Sequence, residues 1–362
     1  MDKINCNYNK TKKYKNYFSK IILLSILLIN LLITKNNKIK KIGVVGVRCC
    51  NNIGANLLKY AISIKLAEFG FLPYIIGTHY QDHDISFLKN KTKCIIIKNN
   101  FSEIKKKQFD ILMVNSDQTW RKFDEHFYDY GFLKFAKDWK IPKFVYGASL
   151  GYSKWKLTQN DENIIKSLLK NFSGVSVREK TSIELIQNHL GIKPIFVLDP
   201  TLLIDKKYYL NLITSFKTNN NISKSFIFTY VIKRENNIQT FIKNSSKELN
   251  YEIINDNMNE KNAIEKFIYG IVNCKAVITD SYHGTIFSII FNKPFVTFIF
   301  SDSPKERFIS LKETFKIENR IFEYNKIPNI SLLVTPLNIN YTLINMYKNQ
   351  SINFLKKNLG II

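Results

Sequence analysis

The sequence predicts an α/β protein in which two doubly wound, Rossmann-like domains face a cleft. Short apolar runs rich in β-branched residues alternate with longer stretches whose apolar residues recur at helical spacing. This alternation is typical of a parallel sheet covered by helices. The series occurs twice, and a polar stretch rich in Asn and Lys at residues 203–224 contains the predicted boundary between the two.

The first series begins with a strand at residues 42–47, which a loop connects to a helix at 55–69. The apolar residues of that helix repeat every three or four positions, as expected of a helix that covers a sheet. The remaining strands are predicted at 72–76, 94–97, 109–114, 144–146, 174–178 and 194–198, and the remaining helices at 162–169 and 182–190. Gly191 ends the last of these helices.

The second series has the same alternation. Strands are predicted at 226–232, 251–254, 276–279 and 295–300, and helices at 239–248, 260–272 and 285–291. The domain limits predicted from both series are 41–205 and 206–335, with an N-terminal extension at 1–40 and a C-terminal helical tail at 336–362.

Composition excludes several classes of protein. The net charge is +25, of which residues 1–41 contribute +9. The other basic residues are spread along the chain and form no stripe interleaved with aromatic residues, so we predict no nucleic-acid partner. The five cysteines form no C-x-x-C pair, which indicates a reducing, cytoplasmic compartment. The five histidines have no zinc-ligand spacing, so the sequence predicts no metal.

The N-terminal extension leaves two interpretations open. Lysines crowd residues 3–20, and residues 21–34 form a 14-residue apolar run. At ~1.5 Å per residue, this run is shorter than the ~30 Å hydrocarbon core of a membrane. It is either a short signal anchor or interfacial helix that attaches the protein to the cytoplasmic face of the membrane, or a dispensable extension.

The segment that follows the predicted strand at 276–279 is the most informative about function. It contains Ser281, His283 and Gly284, where a strand gives way to the N-terminus of a helix. Backbone N–H groups and the helix dipole make such a place an anion site, and a histidine there can also move a proton. The alternative is that His283 only caps the helix while Asp280 fixes the turn.

Four motifs follow strands in a fixed order. They are Ser116-Asp117-Gln118-Thr119-Trp120, Ser176-Val177-Arg178-Glu179, Leu198-Asp199-Pro200-Thr201 and Thr279-Asp280-Ser281-Tyr282-His283-Gly284-Thr285. This series resembles the polysaccharide pyruvyl transferase family over residues 41–325. Asn115 stands where relatives commonly carry glycine, and the loop at residues 48–54 also departs from the family pattern.

The resemblance implies a GT-B-like fold and the transfer of pyruvate from phosphoenolpyruvate to a sugar diol. The product is a pyruvate ketal on a cell-surface glycan or its lipid-linked precursor, and no cofactor is needed beyond phosphoenolpyruvate as co-substrate. The donor carries a phosphate and a carboxylate, so we assign its binding to Arg178, Ser281, Gly284 and Thr285. His283 is the expected general acid or base.

On the acceptor side, Asp117 is expected to orient or deprotonate a sugar hydroxyl, with a turn-capping role as the alternative. Gln118 and Trp120 are assigned to the sugar, although Trp120 could equally be a core residue. Asn52 in the first loop is also assigned to the acceptor. Asp199, which precedes a proline, is interpreted as structural.

Two other functions remain open from the sequence. One is a nucleotide-sugar glycosyltransferase of the same fold, since Glu252 and Glu260 are eight positions apart as in some donor sites. We interpret that spacing as coincidence, because the two glutamates run from a strand into the next helix. The other is a non-catalytic relative that binds glycans.

Overall fold

A computed structural model describes residues 39–46, 52–78, 87–88, 90–97, 101–214, 216, 224–255, 262–301 and 304–362. Within these residues the chain forms two sheets in which every strand is parallel to its neighbours. Nearly all of the N-terminal extension, to residue 38, and the loop residues 47–51 lie outside the described residues, as does Glu260. The two parallel sheets confirm the predicted fold class.

The first sheet has the strand order β3-β2-β1-β4-β5-β6-β7. Its strands are β1 (Lys41–Val45), β2 (Leu72–Thr78), β3 (Cys94–Ile97), β4 (Ile111–Val114), β5 (Lys143–Ala148), β6 (Gly174–Val177) and β7 (Ile195–Phe196). The helices along this part of the chain are α1 (Ile53–Glu68), α2 (Phe127–Phe132), α3 (Gln159–Leu169) and α4 (Thr181–Leu190).

The second sheet has the order β12-β11-β10-β8-β9. Its strands are β8 (Phe226–Tyr230), β9 (Glu252–Asn255), β10 (Ala276–Thr279), β11 (Phe295–Ile299) and β12 (Ile321–Glu323). Helix α5 (Lys206–Ile213) precedes this sheet in the sequence. The helices that follow β8 are α6 (Asn236–Leu249), α7 (Ala263–Asn273), α8 (Tyr282–Ile290), α9 (Lys305–Phe315) and α10 (Tyr341–Asn358).

Strand order determines where ligands bind in such sheets. The order reverses between β1 and β4 in the first sheet and between β8 and β10 in the second. Crevices at these reversal points, at the carboxyl ends of the strands, are the usual ligand sites of doubly wound sheets. The loops after β4 and β10 carry two of the four motifs.

Helix α8 begins three residues earlier than predicted. Its N-cap is Ser281, whose Oγ accepts from the Gly284 N–H. This cap allows the helix to start at Tyr282, so that His283 lies in the first helical turn rather than in the preceding loop.

The C-terminal helix α10 crosses back to the first sheet. Ser351 Oγ accepts from the Leu198 N–H at 2.9 Å, and Asn358 Oδ1 accepts from Ser173 Oγ at 2.7 Å. Phe354 packs against the aromatic rings of β5. The predicted C-terminal tail is therefore a helix that covers the first sheet. The domain limits, after residue 205 and after residue 335, stay predictions.

Among the described residues, the helices are too short or too polar for any of them to cross a bilayer. The apolar run at 21–34, which carried the expectation of membrane attachment, lies outside those residues.

Candidate active site

Arg178, directly after β6, is the centre of a buried ion-pair cluster. Its Nη1 donates to Asp199 Oδ2 at 2.7 Å and its Nη2 donates to Asp117 Oδ1 at 3.1 Å, while Glu179 Oε1 lies 4.0 Å from its Nε. The Arg178 side chain is 1% exposed. Because the cluster is buried, loss of either bound carboxylate would leave a poorly compensated charge.

His283 faces this cluster from the second half of the chain. Its Nε2 lies 3.8 Å from Asp199 Oδ2, which is longer than a hydrogen bond, and the ring is almost completely buried. First-turn N–H groups of a helix have no acceptor in their own helix, and the positive end of the dipole lies there. The His283 imidazole and the N-terminus of α8 together form a place suited to an anion.

The first turn of α1 packs directly on the His283 ring. A Cβ built on Gly54 would lie 1.9 Å from His283 Nδ1, so no side chain fits at this position unless the ring moves. Asn52 caps the same helix, because its Oδ1 accepts from the Ala55 N–H at 3.0 Å. The N-termini of α1 and α8 therefore converge on His283.

The Gly54 contact makes a testable prediction. We expect Gly54→Ala to displace the His283 ring and to destabilise the protein by about 1–3 kcal/mol, the usual cost of overpacking. Urea unfolding should show the loss, and Gly54→Ala combined with His283→Ala should recover at least ~1 kcal/mol of it, since the added methyl then has room. Unchanged stability in the single variant would contradict the close contact.

Two arginines lie over the ring of Tyr282. The Cζ of Arg178 is 4.8 Å from the ring centroid, and the Cζ of Arg307, on α9, is 5.2 Å from it. Burial, followed by repulsion from Arg178, lowers the pKa of Arg307 to about 10. Two guanidinium groups held this close favour an anion beside them, because the anion relieves their repulsion.

Asp199 connects the arginine and the histidine electrostatically. Burial alone would raise its pKa, but interaction with His283 and Arg178 outweighs burial and holds the pKa well below the usual range. Its other oxygen, Oδ1, accepts from the N–H and the hydroxyl of Thr201 at 3.0 and 2.7 Å. Asp199 is therefore a buried carboxylate that is ionised at neutral pH.

Three nitrogen atoms around Tyr282 are buried without a hydrogen-bond partner in the described part of the chain. They are Arg178 Nε, Arg307 Nε and His283 Nε2. Buried polar groups in native proteins are nearly always hydrogen-bonded, so three unpaired nitrogens in one region indicate a ligand that accepts hydrogen bonds. The chemistry of the three groups fits a phosphate or a carboxylate.

Asp117 has a strained backbone. Its φ is 115°, a region that residues other than glycine rarely adopt. Its Oδ1 accepts from the Gln118 N–H at 2.9 Å as well as from Arg178, and its side chain is 18% exposed. Strain of this kind costs of order 1–3 kcal/mol and is found at functional sites, where surrounding contacts hold the conformation.

The other residues assigned to the acceptor lie in different environments. Trp120 is 1% exposed, its Nε1 donates to the Gly131 carbonyl, and its ring stacks on Phe132, so it occupies the core. Gln118 is partly buried, and its Oε1 accepts from Arg121 at 3.1 Å. Asn52 is exposed and caps α1.

Thr285 and Gly284, two of the residues assigned to the donor, also make contacts that hold α8 in the fold. The Thr285 N–H donates to the Ser281 carbonyl, and the Thr285 hydroxyl contacts both Ser281 and Thr297. A Cβ built on Gly284 would lie 2.3 Å from Thr279 Oγ1, so Gly284 allows α8 to approach β10. Since the Gly284 N–H donates to Ser281 Oγ, the first-turn N–H groups that have no acceptor among the described residues are those of Tyr282 and His283.

Asp280 and Asn115 differ in their contacts. The Asp280 carboxylate accepts from the N–H groups of Ile232 and Lys233 at 2.8 and 2.7 Å, so it holds the loop that follows β8. Asn115 is buried, and neither atom of its amide has a hydrogen-bond partner among the described residues. Its Cβ and the Cε of the buried Lys59 both lie near Gly46, at the reversal point of the first sheet.

Sequence reasoning missed two members of the site. Asp199 was interpreted as structural because of the following proline, yet its carboxylate contacts Arg178 and faces His283. Arg307 lies beyond the four motifs, and its only signal was the scarcity of arginine, six residues against 48 lysines. In the described part of the chain, no three His, Cys, Asp or Glu side chains are grouped to hold a metal.

Solved structures similar to this chain have the same two-sheet architecture. The S. aureus MnaA–UDP complex is 16% identical, with a TM-score of 0.54 over 90% of this chain and 98% of that one. The Neisseria meningitidis UDP-GlcNAc 2-epimerase bound to UDP-GlcNAc is 14% identical, with a TM-score of 0.52 over 88% and 100% of the two chains. At these identities the likeness shows the fold, which is GT-B-like.

Sequence comparison identifies the family. No curated protein matches the chain. A family model described as polysaccharide pyruvyl transferase matches residues 52–302, well over half of the sequence, and this range contains Asp117, Arg178, Asp199 and His283. The chain belongs to the polysaccharide pyruvyl transferase family.

Proposed function

We propose that this protein transfers pyruvate from phosphoenolpyruvate to a sugar diol and forms a pyruvate ketal on a cell-surface glycan or its lipid-linked precursor. Family membership supports the reaction class. The observation that carries the proposal is the group of three unpaired buried nitrogens on Arg178, Arg307 and His283, beside the N-terminus of α8. These groups suit a small donor with a phosphate and a carboxylate.

Donor binding uses both charge and backbone groups. Both Nη atoms of Arg178 donate to carboxylates, so Arg178 acts on the donor through its charge and through Nε, which has no hydrogen-bond partner among the described residues. Arg307 supplies a second guanidinium group. Ser281 and Gly284 shape the first turn of α8, and Thr285 anchors that turn to β11 through Thr297. The donor anion then accepts from first-turn N–H groups.

His283 acts as the general acid in the first step. It delivers a proton to the methylene carbon of phosphoenolpyruvate, and an acceptor hydroxyl adds to the carbon that bears the phosphate. Phosphate leaves, the second hydroxyl closes the ketal, and the two hydroxyl protons pass to a base and to the phosphate. Asp117, partly exposed beside Arg178, orients or deprotonates the acceptor hydroxyl.

The acceptor enters from the side of the loop that follows β4. We assign Gln118, next to Asp117, and Asn52, the N-cap of α1, to the sugar. Trp120 supports this loop from the core by packing on Phe132. We assign the reaction to the cytoplasm, at the membrane surface where a lipid-linked precursor would be met.

The arginines provide a prediction that separates binding from folding. Arg307→Lys keeps the charge but loses the planar fork, so we expect the KM for phosphoenolpyruvate to rise about tenfold with little change in the unfolding midpoint. Arg178→Lys should raise the KM as well, but it should also lower the midpoint, because Arg178 holds Asp117 and Asp199. Normal kinetics in both variants would place the donor elsewhere.

The decisive test is incubation with phosphoenolpyruvate and a panel of nitrophenyl and lipid-linked sugars. The expected result is phosphate release coupled to the mass gain of a pyruvate ketal on one sugar. Calorimetric binding of UDP with no response to phosphoenolpyruvate would instead indicate a nucleotide-sugar transferase. Binding of glycans with neither donor would indicate a non-catalytic relative.

A further inference from the structure

A partly exposed group of aromatic and cationic side chains lies on the loop that carries Asp117 and on the loop after β5. The Cζ of Arg121 is 4.8 Å from the ring centroid of Phe123 and 4.9 Å from that of Tyr152. The Nζ of Lys156 lies 4.1 Å from the Tyr152 ring centroid. We call Arg121, Phe123, Tyr152 and Lys156 the loop patch.

Contacts within the loop patch hold Arg121 in place. Its Nε donates to Tyr152 Oη at 2.9 Å and its Nη1 donates to Gln118 Oε1 at 3.1 Å. Gly151, beside the Gln118 and Arg121 side chains, has a φ of +68°, a backbone conformation that residues other than glycine rarely adopt. The guanidinium is thus preorganised rather than free to move.

The charge of Arg121 is not neutralised by any described residue. In the part of the chain that the structure describes, no carboxylate lies within ion-pair distance of it, although the neighbouring Lys122 pairs with Asp161. Asp124 and Glu125 follow in the loop, where they contact His126. Phe123 is 56% exposed, so its ring is accessible to a ligand.

We infer that the loop patch is a subsite for an anionic glycan acceptor, an inference that rests on the proposed function. The exposed Phe123 ring takes the apolar face of a sugar, while Arg121 and Lys156 bind an anion attached to or next to it. Gln118 contacts both Arg121 and Asp117, so this subsite lies beside Asp117, where the acceptor hydroxyls react in the proposed function. The anion is either a uronate carboxylate of the glycan or the phosphate that joins the glycan to a lipid carrier.

Binding and kinetics test this inference separately from the proposed function. Calorimetry without phosphoenolpyruvate uses three probes: a neutral nitrophenyl glycoside, a uronate-containing oligosaccharide and a sugar diphosphate linked to a short prenyl chain. Arg121→Gln should weaken binding of one anionic probe about tenfold and leave the neutral probe unchanged. Phe123→Ala should weaken every probe that binds, and Lys247→Gln, an exposed charge loss on α6, is the matched control.

The probe that responds identifies the source of the anion. Binding of phosphoenolpyruvate is measured on the same variants, so that failure of the donor to bind wild-type protein counts against the proposed function alone. The inference is overturned if no anionic glycan binds, or if Arg121→Gln changes binding no more than Lys247→Gln does. It is also overturned if Arg121→Gln weakens neutral and anionic probes equally.

Discussion

Replacement of Asp199 by asparagine is expected to destabilise the protein by about 3 kcal/mol and to abolish most activity, because it leaves the Arg178 charge buried with one fewer partner. The substitution keeps the shape of the side chain and its contacts with Thr201, so the loss of stability measures the effect of removing the negative charge. The measurement is urea unfolding at pH 7, with donor binding followed in parallel. Asp205→Asn, an exposed helix cap on α5, is the matched control and should cost little.

The stability lost in Asp199→Asn is expected to depend on pH. Since the pKa of Asp199 is lower in the folded chain than in the unfolded one, its ionisation stabilises the fold above the unfolded pKa of about 4 and is progressively lost below it. The stability gap between wild type and Asp199→Asn should therefore be full at neutral pH and narrow as the pH falls below about 4. A gap that is constant down to pH 2 would show that the charge of Asp199 is not what stabilises the cluster.

The fold could be predicted because its signals are local. The strands β3 and β10 have the predicted ends, and β4 ends where predicted but begins two residues later, since β-branched runs bounded by polar residues leave little ambiguity. Helix α5 was missed because it lies in a polar stretch taken as the boundary between the two series. Helix α10 was predicted as a tail, but its docking on the first sheet depends on contacts such as Ser351 with Leu198, which no local pattern shows.

Candidate site residues could be predicted only where a side chain suited to catalysis or anion binding lies within a sequence motif. His283 and Arg178 could be assigned from the sequence because each follows a strand within a motif, and the structure brings both side chains to Asp199. Their roles in the reaction stay predictions. The pairing of Asp199 with Arg178 joins the ends of two strands and depends on the sheet order, which the sequence does not state. Arg307, on α9, lies over the same Tyr282 ring as Arg178, which only the three-dimensional arrangement reveals.

His283→Asn is expected to have the largest effect on turnover of any single substitution. Asparagine retains a hydrogen-bond donor but cannot exchange a proton near neutral pH. If His283 delivers the proton to the donor, kcat should fall by ~10²–10⁴ with the KM for phosphoenolpyruvate little changed. The pH–rate profile should lose one limb. His189→Asn, the same change at a ring that stacks on Trp155 away from the cluster, should leave both constants intact.

The alternative role of His283 has a different kinetic signature. If the ring only holds the donor anion together with Arg178 and Arg307, His283→Asn should raise the KM and leave the shape of the pH–rate profile unchanged. We propose proton transfer rather than anion binding alone, because the Asp199 carboxylate lies 3.8 Å from Nε2, close enough to orient the ring. Wild-type kcat and KM in this variant would exclude both roles and leave His283 as a capping residue at the start of α8.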